Sequence, residues 1–201
     1  MTDPQAPTPT PNAAPQSSLR AEAKRLPERG TPGDDVLRTM SELRRDDVRW
    51  RDGKLWCLVF HPGEELERFL HQAYTLYFCE NGLNPTAFPS LRKFETEVVS
   101  IVGGLLGGDA DVVGNMTTGG TESIMMTVKT AREWAAARRR PGPAEIVLPV
   151  SAHPAFEKAA HYFGLRTVHA PVGPDLRVDV GAVRRAITRR TALLVGSAPA
   201  Y

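Results

Sequence analysis

The sequence has few cysteines, no long apolar run and no marked excess of either charge. Its 201 residues include two cysteines, Cys57 and Cys79, which are too few for a disulfide framework and lack the CxxC spacing of a zinc site. This cysteine usage is typical of a reducing compartment, so we expect a cytoplasmic protein. The formal net charge of +2 gives no general attraction to nucleic acid or to an anionic membrane.

Segments that direct a chain to or across a membrane are missing as well. No apolar run reaches the roughly 18 residues that a transmembrane helix needs. The N-terminus lacks the basic and apolar regions of a signal peptide. What the sequence does have is the composition of an ordinary globular protein, with 41% hydrophobic and 24% charged residues. The composition therefore predicts a soluble chain without a membrane span.

The distribution of proline, glycine and apolar residues divides the chain into three regions. Residues 1–33 begin with a stretch rich in Pro, Thr, Ala and Ser, for which we expect a disordered tail and a charged lead-in, because it cannot bury enough apolar surface to offset its ordering entropy. Residues 34–110 show helical periodicity, which predicts one helix over 64–80 and a second over 91–105. Prolines predict a short extended stretch at 86–88 between them.

The third region, residues 111–201, alternates between helical and extended patterns. We predict strands at 146–150, 166–170 and 191–195, and helices that begin near Gly120, Pro154 and Asp179. Because strands that alternate with helices imply right-handed crossovers, the predicted fold class is α/β with a largely parallel sheet. The last strand is followed at once by the end of the chain, where a functional loop should begin, so we expect a truncated domain.

A segment rich in glycine and threonine, residues 117–123, lies directly before a predicted helix. Glycine lets the backbone approach an anion closely, and the free N–H groups of a helix start favour a phosphate, to which Thr121 adds a hydroxyl donor. The segment is neither a Walker loop nor a GxGxxG dinucleotide turn. On these residues alone, a phosphate site and a plain turn with a helix cap are equally favoured.

His153 follows the predicted strand at 146–150, at the end of a strand where α/β folds bind ligands. An imidazole at this place could stack on an aromatic cofactor or serve as an acid or base near neutral pH. A lone histidine is more often a structural or capping group. The residues alone leave both interpretations open.

Four blocks of sequence resemble, when taken together, one family of enzymes. In chain order they read NPTAFPSLRKFETE at 84–97, TTGGTES at 117–123, SAHPAFEKAA at 151–160 and LLVGSAP at 193–199. From about Trp50 onwards, their order and spacing resemble the pyridoxal-phosphate-dependent group II decarboxylases. Within that family they are similar above all to the sphingosine phosphate lyases.

The resemblance implies a fold, a cofactor and roles for individual residues. The fold would be the aspartate aminotransferase-like fold, also called fold type I, with this chain as its N-terminal segment and the first part of its large domain. The cofactor would be pyridoxal 5'-phosphate, with its phosphate held by Gly120 and Thr121 and its pyridine ring stacked against His153. Asn84, where the lyases usually carry histidine, would border the cofactor site. No metal is implied.

The resemblance also implies an activity and partners. The parent protein would be a carbon–carbon lyase of sphingolipid metabolism that acts on a small amine or a phosphorylated long-chain base, and it would form a homodimer. An amino-acid decarboxylase and a non-catalytic module that binds phosphate or a partner remain alternatives. The family's Schiff-base lysine would lie beyond Tyr201, so we expect no catalytic residue and no turnover in this chain. Its own lysines are predicted on the surface: Lys24, Lys54, Lys93, Lys129 and Lys158.

Overall fold

The computed structural model describes Leu26 and residues 28–55, 57–138 and 142–198. Most of the predicted tail and lead-in therefore lies outside the described residues. The chain forms two compact units, one that ends at Phe78 and one that begins at Cys79. The division after residue 110, which rests on sequence motifs, stays a prediction. In the described part of the chain, no helix is long and apolar enough to cross a membrane.

The first unit is helical. It contains α1 (Gly33–Leu43), two short 3-10 turns (Arg44–Asp46 and Trp50–Asp52) and α2 (Glu64–Leu76). The prediction that α2 continues to residue 80 is wrong, because its last turn tightens. The N–H of Tyr77 donates to the carbonyl of Tyr74 at 3.2 Å, and the backbone then leaves the helix.

The second unit opens with α3 (Pro89–Leu105), which begins with proline at its first position. The extended stretch predicted at 86–88 is wrong, since a turn forms there in which the carbonyl of Asn84 accepts the N–H of Ala87 at 3.1 Å. The end of α3 packs closely on the segment that follows it. A Cβ atom at Gly103 would lie 3.0 Å from the Cγ1 atom of Val112, so this contact favours glycine.

The remainder of the unit is an α/β layer, as predicted. Its strands are parallel, in the spatial order β2-β1-β3. They are β1 (Glu145–Pro149), β2 (Arg166–Ala170) and β3 (Thr191–Leu194), each within one residue of its predicted limits. The helices are α4 (Gly120–Ala137), α5 (Ala155–Phe163) and α6 (Val180–Ala186).

The core of this layer lies between α4, α5 and β1. Its buried side chains are Val128, Ile146, Leu148, Ala159, Ala160 and Leu165. The side chains of Ile146 and Ala159 are completely buried, and the small alanine lets α5 approach closely. Apolar residues at helical spacing on α4 and at the start of α5 face this core, since Val128, Ala135 and Ala155 are all buried.

Candidate functional site

The candidate site is built at the carboxyl edge of the parallel sheet. All three strands run in one direction, so their carboxyl ends meet at a single edge, where α/β folds bind ligands. His153 lies in the connection that leaves this end of β1. Helix α4 precedes β1 in the sequence and contacts β3 of the sheet. A helix that leads into a parallel strand in this way runs antiparallel to the strand. The start of α4 therefore lies on the same side as the carboxyl edge.

The start of α4 lacks the usual side-chain cap. Its cap residue is Gly119, which has no side chain to accept a hydrogen bond from the first turn. The first helical bond joins the N–H of Ser123 to the carbonyl of Gly119 at 3.1 Å. The N–H groups of Gly120 and Thr121 therefore have no acceptor among the described residues, as is usual for a first turn.

The space in front of these two amides is open. A Cβ atom added at Gly119 or at Gly120 would meet no protein atom within 4 Å. Thr121 is exposed, and its hydroxyl has no partner in the part of the chain that the structure describes. Two backbone donors and one hydroxyl donor thus face solvent at the positive end of an 18-residue helix, an arrangement suited to a phosphate group.

The segment before the helix is fixed from behind by Glu122. One oxygen of its carboxylate, Oε2, accepts both the N–H of Thr118 at 2.6 Å and the hydroxyl of Thr118 at 2.7 Å. These two hydrogen bonds, the backbone one first, lower the pKa of Glu122 below its usual value. A second tie joins the hydroxyls of Thr117 and Ser123 at 2.6 Å. The chain therefore enters α4 through a closed hydrogen-bonded loop.

His153 has a definite structural role in addition to its predicted one. Its Nδ1 atom accepts the N–H of Ala155 at 3.0 Å and so caps the start of α5. An accepting nitrogen carries no proton, so in the neutral ring the proton is on Nε2. Because the residue is exposed and the cap fixes only one nitrogen, the ring is oriented while its faces stay accessible.

Asn84 lies at the start of the turn that leads to α3. Its Oδ1 atom accepts the N–H of Thr86 at 3.0 Å and the hydroxyl of Thr86 at 2.7 Å. Its side-chain NH₂ group is then the part left for a ligand. In the described chain, no hydrogen bond joins Asn84 to residues 117–123 or to His153. A link between α3 and the residue directly before that segment comes instead from Glu95, which accepts the N–H of Met116 at 3.2 Å.

Sequence reasoning found the glycine-rich segment but missed Glu122. The familiar capping pattern places the acid three residues after Ser or Thr, whereas Glu122 lies four residues after its partner, Thr118. An acid at this wider spacing was the available signal. The described lysines are all exposed, as predicted: Lys54, Lys93, Lys129 and Lys158.

Comparison with known proteins identifies relatives of this chain. No protein-family model matches it. It is 43% identical over 178 residues to sphingosine-1-phosphate lyase 1 of Rattus norvegicus, an alignment that covers 89% of this chain and 31% of the rat protein. It is also 38% identical over 173 residues to a probable L-tyrosine/L-aspartate decarboxylase of Methanothrix thermoacetophila, covering 86% of this chain and 43% of that protein.

A solved structure shows the same architecture. The sphingosine-1-phosphate lyase of Burkholderia pseudomallei superposes with a TM-score of 0.79 at 34% identity, covering 93% of this chain and 45% of that structure. The chain spans about a third of the length of the lyases it matches. Its fold is that of the fold type I enzymes, in part. Over these residues the chain is similar in sequence and fold to the sphingosine-1-phosphate lyases, which supports its placement with the pyridoxal-phosphate-dependent group II decarboxylases.

Proposed function

We propose that this chain forms the phosphate-binding part of a pyridoxal-phosphate-dependent carbon–carbon lyase. The observation that carries the proposal is the uncapped start of α4, with free donors on Gly120 and Thr121, in a chain 43% identical to a sphingosine-1-phosphate lyase. The name of that relative supplies the proposed substrate class, a phosphorylated long-chain base. The whole protein is proposed to be cytoplasmic and to form a homodimer. Light scattering of the purified protein would test the homodimer.

The described residues fit the cofactor. Its phosphate dianion needs several donors and open space in front of them, and the first turn of α4 offers both. Its flat pyridine ring needs a flat partner, for which the oriented imidazole of His153 is suited. The side-chain NH₂ group of Asn84 is a further donor, which we place at the border of the cofactor site.

Each residue has a part in the proposed chemistry. When bound, pyridoxal phosphate serves as an electron sink for cleavage of a bond to the α-carbon of an amine. Gly120 and Thr121 anchor the phosphate and so fix where the ring lies, while His153 covers one ring face and excludes water from it. The exposed lysines Lys93, Lys129 and Lys158 lie on helices. We propose that the lysine which carries the cofactor is none of the described lysines.

The first test of the proposal is Thr121→Ala in the protein that contains this chain. Removal of a hydrogen bond to a charged group costs about 1.5–3 kcal/mol, so the dissociation constant of pyridoxal phosphate should rise about 10- to 100-fold. Equilibrium titration with the cofactor, followed by absorbance, measures this change.

Thr130→Ala is the matched control, because it removes a hydroxyl from the same helix. The hydroxyl of Thr130 donates to the carbonyl of Met126 at 2.8 Å, far from the helix start. This variant should bind the cofactor as the unchanged protein does. Equal affinity of the Thr121→Ala variant and the unchanged protein would contradict the proposed phosphate site.

A decarboxylase is the second candidate, because the Methanothrix decarboxylase is 38% identical to this chain. The two reactions differ in the bond that breaks, a carbon–carbon bond to a hydroxyl-bearing carbon or the bond to a carboxylate. Incubation of the protein with a phosphorylated long-chain base should release a long-chain aldehyde. Carbon dioxide from tyrosine or aspartate, without aldehyde from the lipid, would assign the decarboxylase instead.

A further inference from the structure

Glu122 places a negative charge in the first turn of the helix that is proposed to bind a phosphate. A carboxylate near an anion site repels the anion, so its presence calls for a physical reason. The geometry supplies one, since both donors of Thr118 point at the same carboxylate oxygen, at 2.6 and 2.7 Å.

We propose that Glu122 is a positioning residue, which holds Thr118 and thereby orients the backbone N–H groups of Gly120 and Thr121 toward the cofactor phosphate. This inference rests on the proposed function. It assigns Glu122 no contact with the cofactor itself. It improves binding only by fixing the backbone of residues 118–122 through its hydrogen bonds to Thr118.

The need for such a tie follows from the residues in between. Only Gly119, Gly120 and Thr121 separate Thr118 from Glu122, and glycine has the largest conformational freedom of any residue. An ordinary helix would fix this entry with a cap side chain, but that side chain would occupy the amides that a phosphate needs. Glu122 instead bonds the residue before the cap, which fixes the loop and leaves the amides free.

The hydroxyl pair of Thr117 and Ser123 closes a wider loop around the first one. Both closures join a residue before the helix to one inside its first turns. The amide donors of Gly120 and Thr121 lie within both loops. Loss of the inner closure should therefore loosen the amides without removing any donor.

A charge effect and a positioning effect of Glu122 have opposite signs. If the carboxylate acted only through its charge, its removal would strengthen phosphate binding. If it positions the loop, its removal weakens binding, and Glu122→Gln restores binding because the amide oxygen can accept from Thr118. The conservative variant therefore separates the two effects.

The experiment is a titration of the protein that contains this chain with pyridoxal phosphate. We expect the dissociation constant to rise about ten-fold for Glu122→Ala, by analogy with the loss of a charge-assisted hydrogen bond, and to stay within about three-fold for Glu122→Gln. Thr118→Val, which removes one of the two donors, should weaken binding by an intermediate factor. The double variant with both Glu122→Ala and Thr118→Val should bind no more weakly than Glu122→Ala alone.

The matched control is Glu133→Ala, which removes a carboxylate from the same helix. Glu133 is exposed and pairs with the neighbouring Arg132, so this variant should bind the cofactor unchanged. Melting temperatures of all variants show whether they fold. If Glu122→Ala does not fold, the comparison of Thr118→Val with Glu122→Gln decides, and Thr118→Val must bind more weakly.

The outcomes separate this inference from the proposed function. If the unchanged protein binds no pyridoxal phosphate, the proposed function fails, and this inference fails with it. If the unchanged protein binds the cofactor and Thr121→Ala weakens it, while Glu122→Ala binds as tightly or more tightly, only the positioning role is overturned.

Discussion

Glu145 is a buried carboxylate at the amino-terminal edge of the sheet, opposite the carboxyl edge where the candidate site lies. It begins β1, and only 2% of its surface is exposed. Its oxygens accept the hydroxyl of Thr188 at 2.7 Å and the Nε of Arg190 at 2.8 Å, and the Nη2 of Arg190 lies 2.7 Å away. These contacts join β1 to the connection before β3, at the point where the register of the two strands shifts.

Glu145→Gln should loosen this end of the sheet by a definite amount. Breaking a buried ion pair costs about 3–5 kcal/mol when the partner's charge is left buried. Here 42% of the Arg190 side chain is exposed, so water can solvate its charge after the change. The remaining loss is that of charge-assisted hydrogen bonds, and we expect about 2 kcal/mol. That corresponds to an opening equilibrium about 30-fold larger for β1 and β3.

The effect should also depend on pH. The hydrogen bond from Thr188, and then Arg190, lower the pKa of Glu145 in the folded protein. A lowered pKa means that the stabilisation is complete above the unfolded-state value of about 4.3 and is lost as the pH falls through the folded-state pKa. The Gln variant cannot titrate, so the difference between the two proteins should shrink in acid.

Hydrogen exchange of the β1 and β3 amides, read by mass spectrometry, measures the change locally. Exchange should be about 30-fold faster in the Gln variant at neutral pH, in line with a loss of about 2 kcal/mol. Arg190→Ala leaves the charge of Glu145 buried without its partner, so its effect should be larger, about 3–5 kcal/mol. Arg189→Ala, which changes an exposed neighbour, should leave exchange unchanged. Equal exchange in the Gln variant and the unchanged protein would refute the reasoning.

Further variants test other parts of the fold. Asp179 caps α6 by accepting the N–H of Ala182 at 2.9 Å, so Asp179→Ala should destabilise this region by about 1 kcal/mol in urea unfolding. Ala159 is completely buried, and Ala159→Leu should destabilise the α4–α5 contact by about 1–3 kcal/mol, seen as a lower melting temperature. The hydrogen bond from Arg51 lowers the pKa of Glu67 to about 2. This pair should therefore persist at pH 4 and break only near pH 2, which a carbon-detected NMR titration would show.

The sheet could be predicted closely because its sequence signals are local. The clearest strand, β1, is a short apolar run preceded by proline and glycine, and the helices α4 and α5 on either side of it in the sequence carry apolar faces. The helix predicted to begin near Asp179 is found, with Asp179 as its cap. Glu145 was missed because a buried charge has the same appearance in the sequence as an exposed one, and its partners lie more than forty residues away.

The hydrogen-bond donors of the candidate site could be predicted from the sequence, whereas the hydrogen bonds that hold the site in place could not. Gly120 and Thr121 follow from the rule that a glycine-rich helix start favours phosphate. The role of Glu122 depends on the direction in which its side chain turns, back toward Thr118, and no periodicity fixes that direction. The cap formed by His153 depends likewise on a local backbone turn.

For the helices α2 and α3, the apolar pattern predicts the helix correctly, but the apolar residues are not buried. Both have the apolar faces predicted from helical spacing, yet α2 buries no residue and α3 buries only Gly103. Phe69 of α2 is 61% exposed and Leu105 of α3 is 81% exposed. Periodicity identifies which face of a helix is apolar, but burial requires a surface to cover that face, and such a surface is specified by residues distant in sequence. Exposed apolar faces of this extent are typical of surfaces that are covered in the complete assembly of a protein.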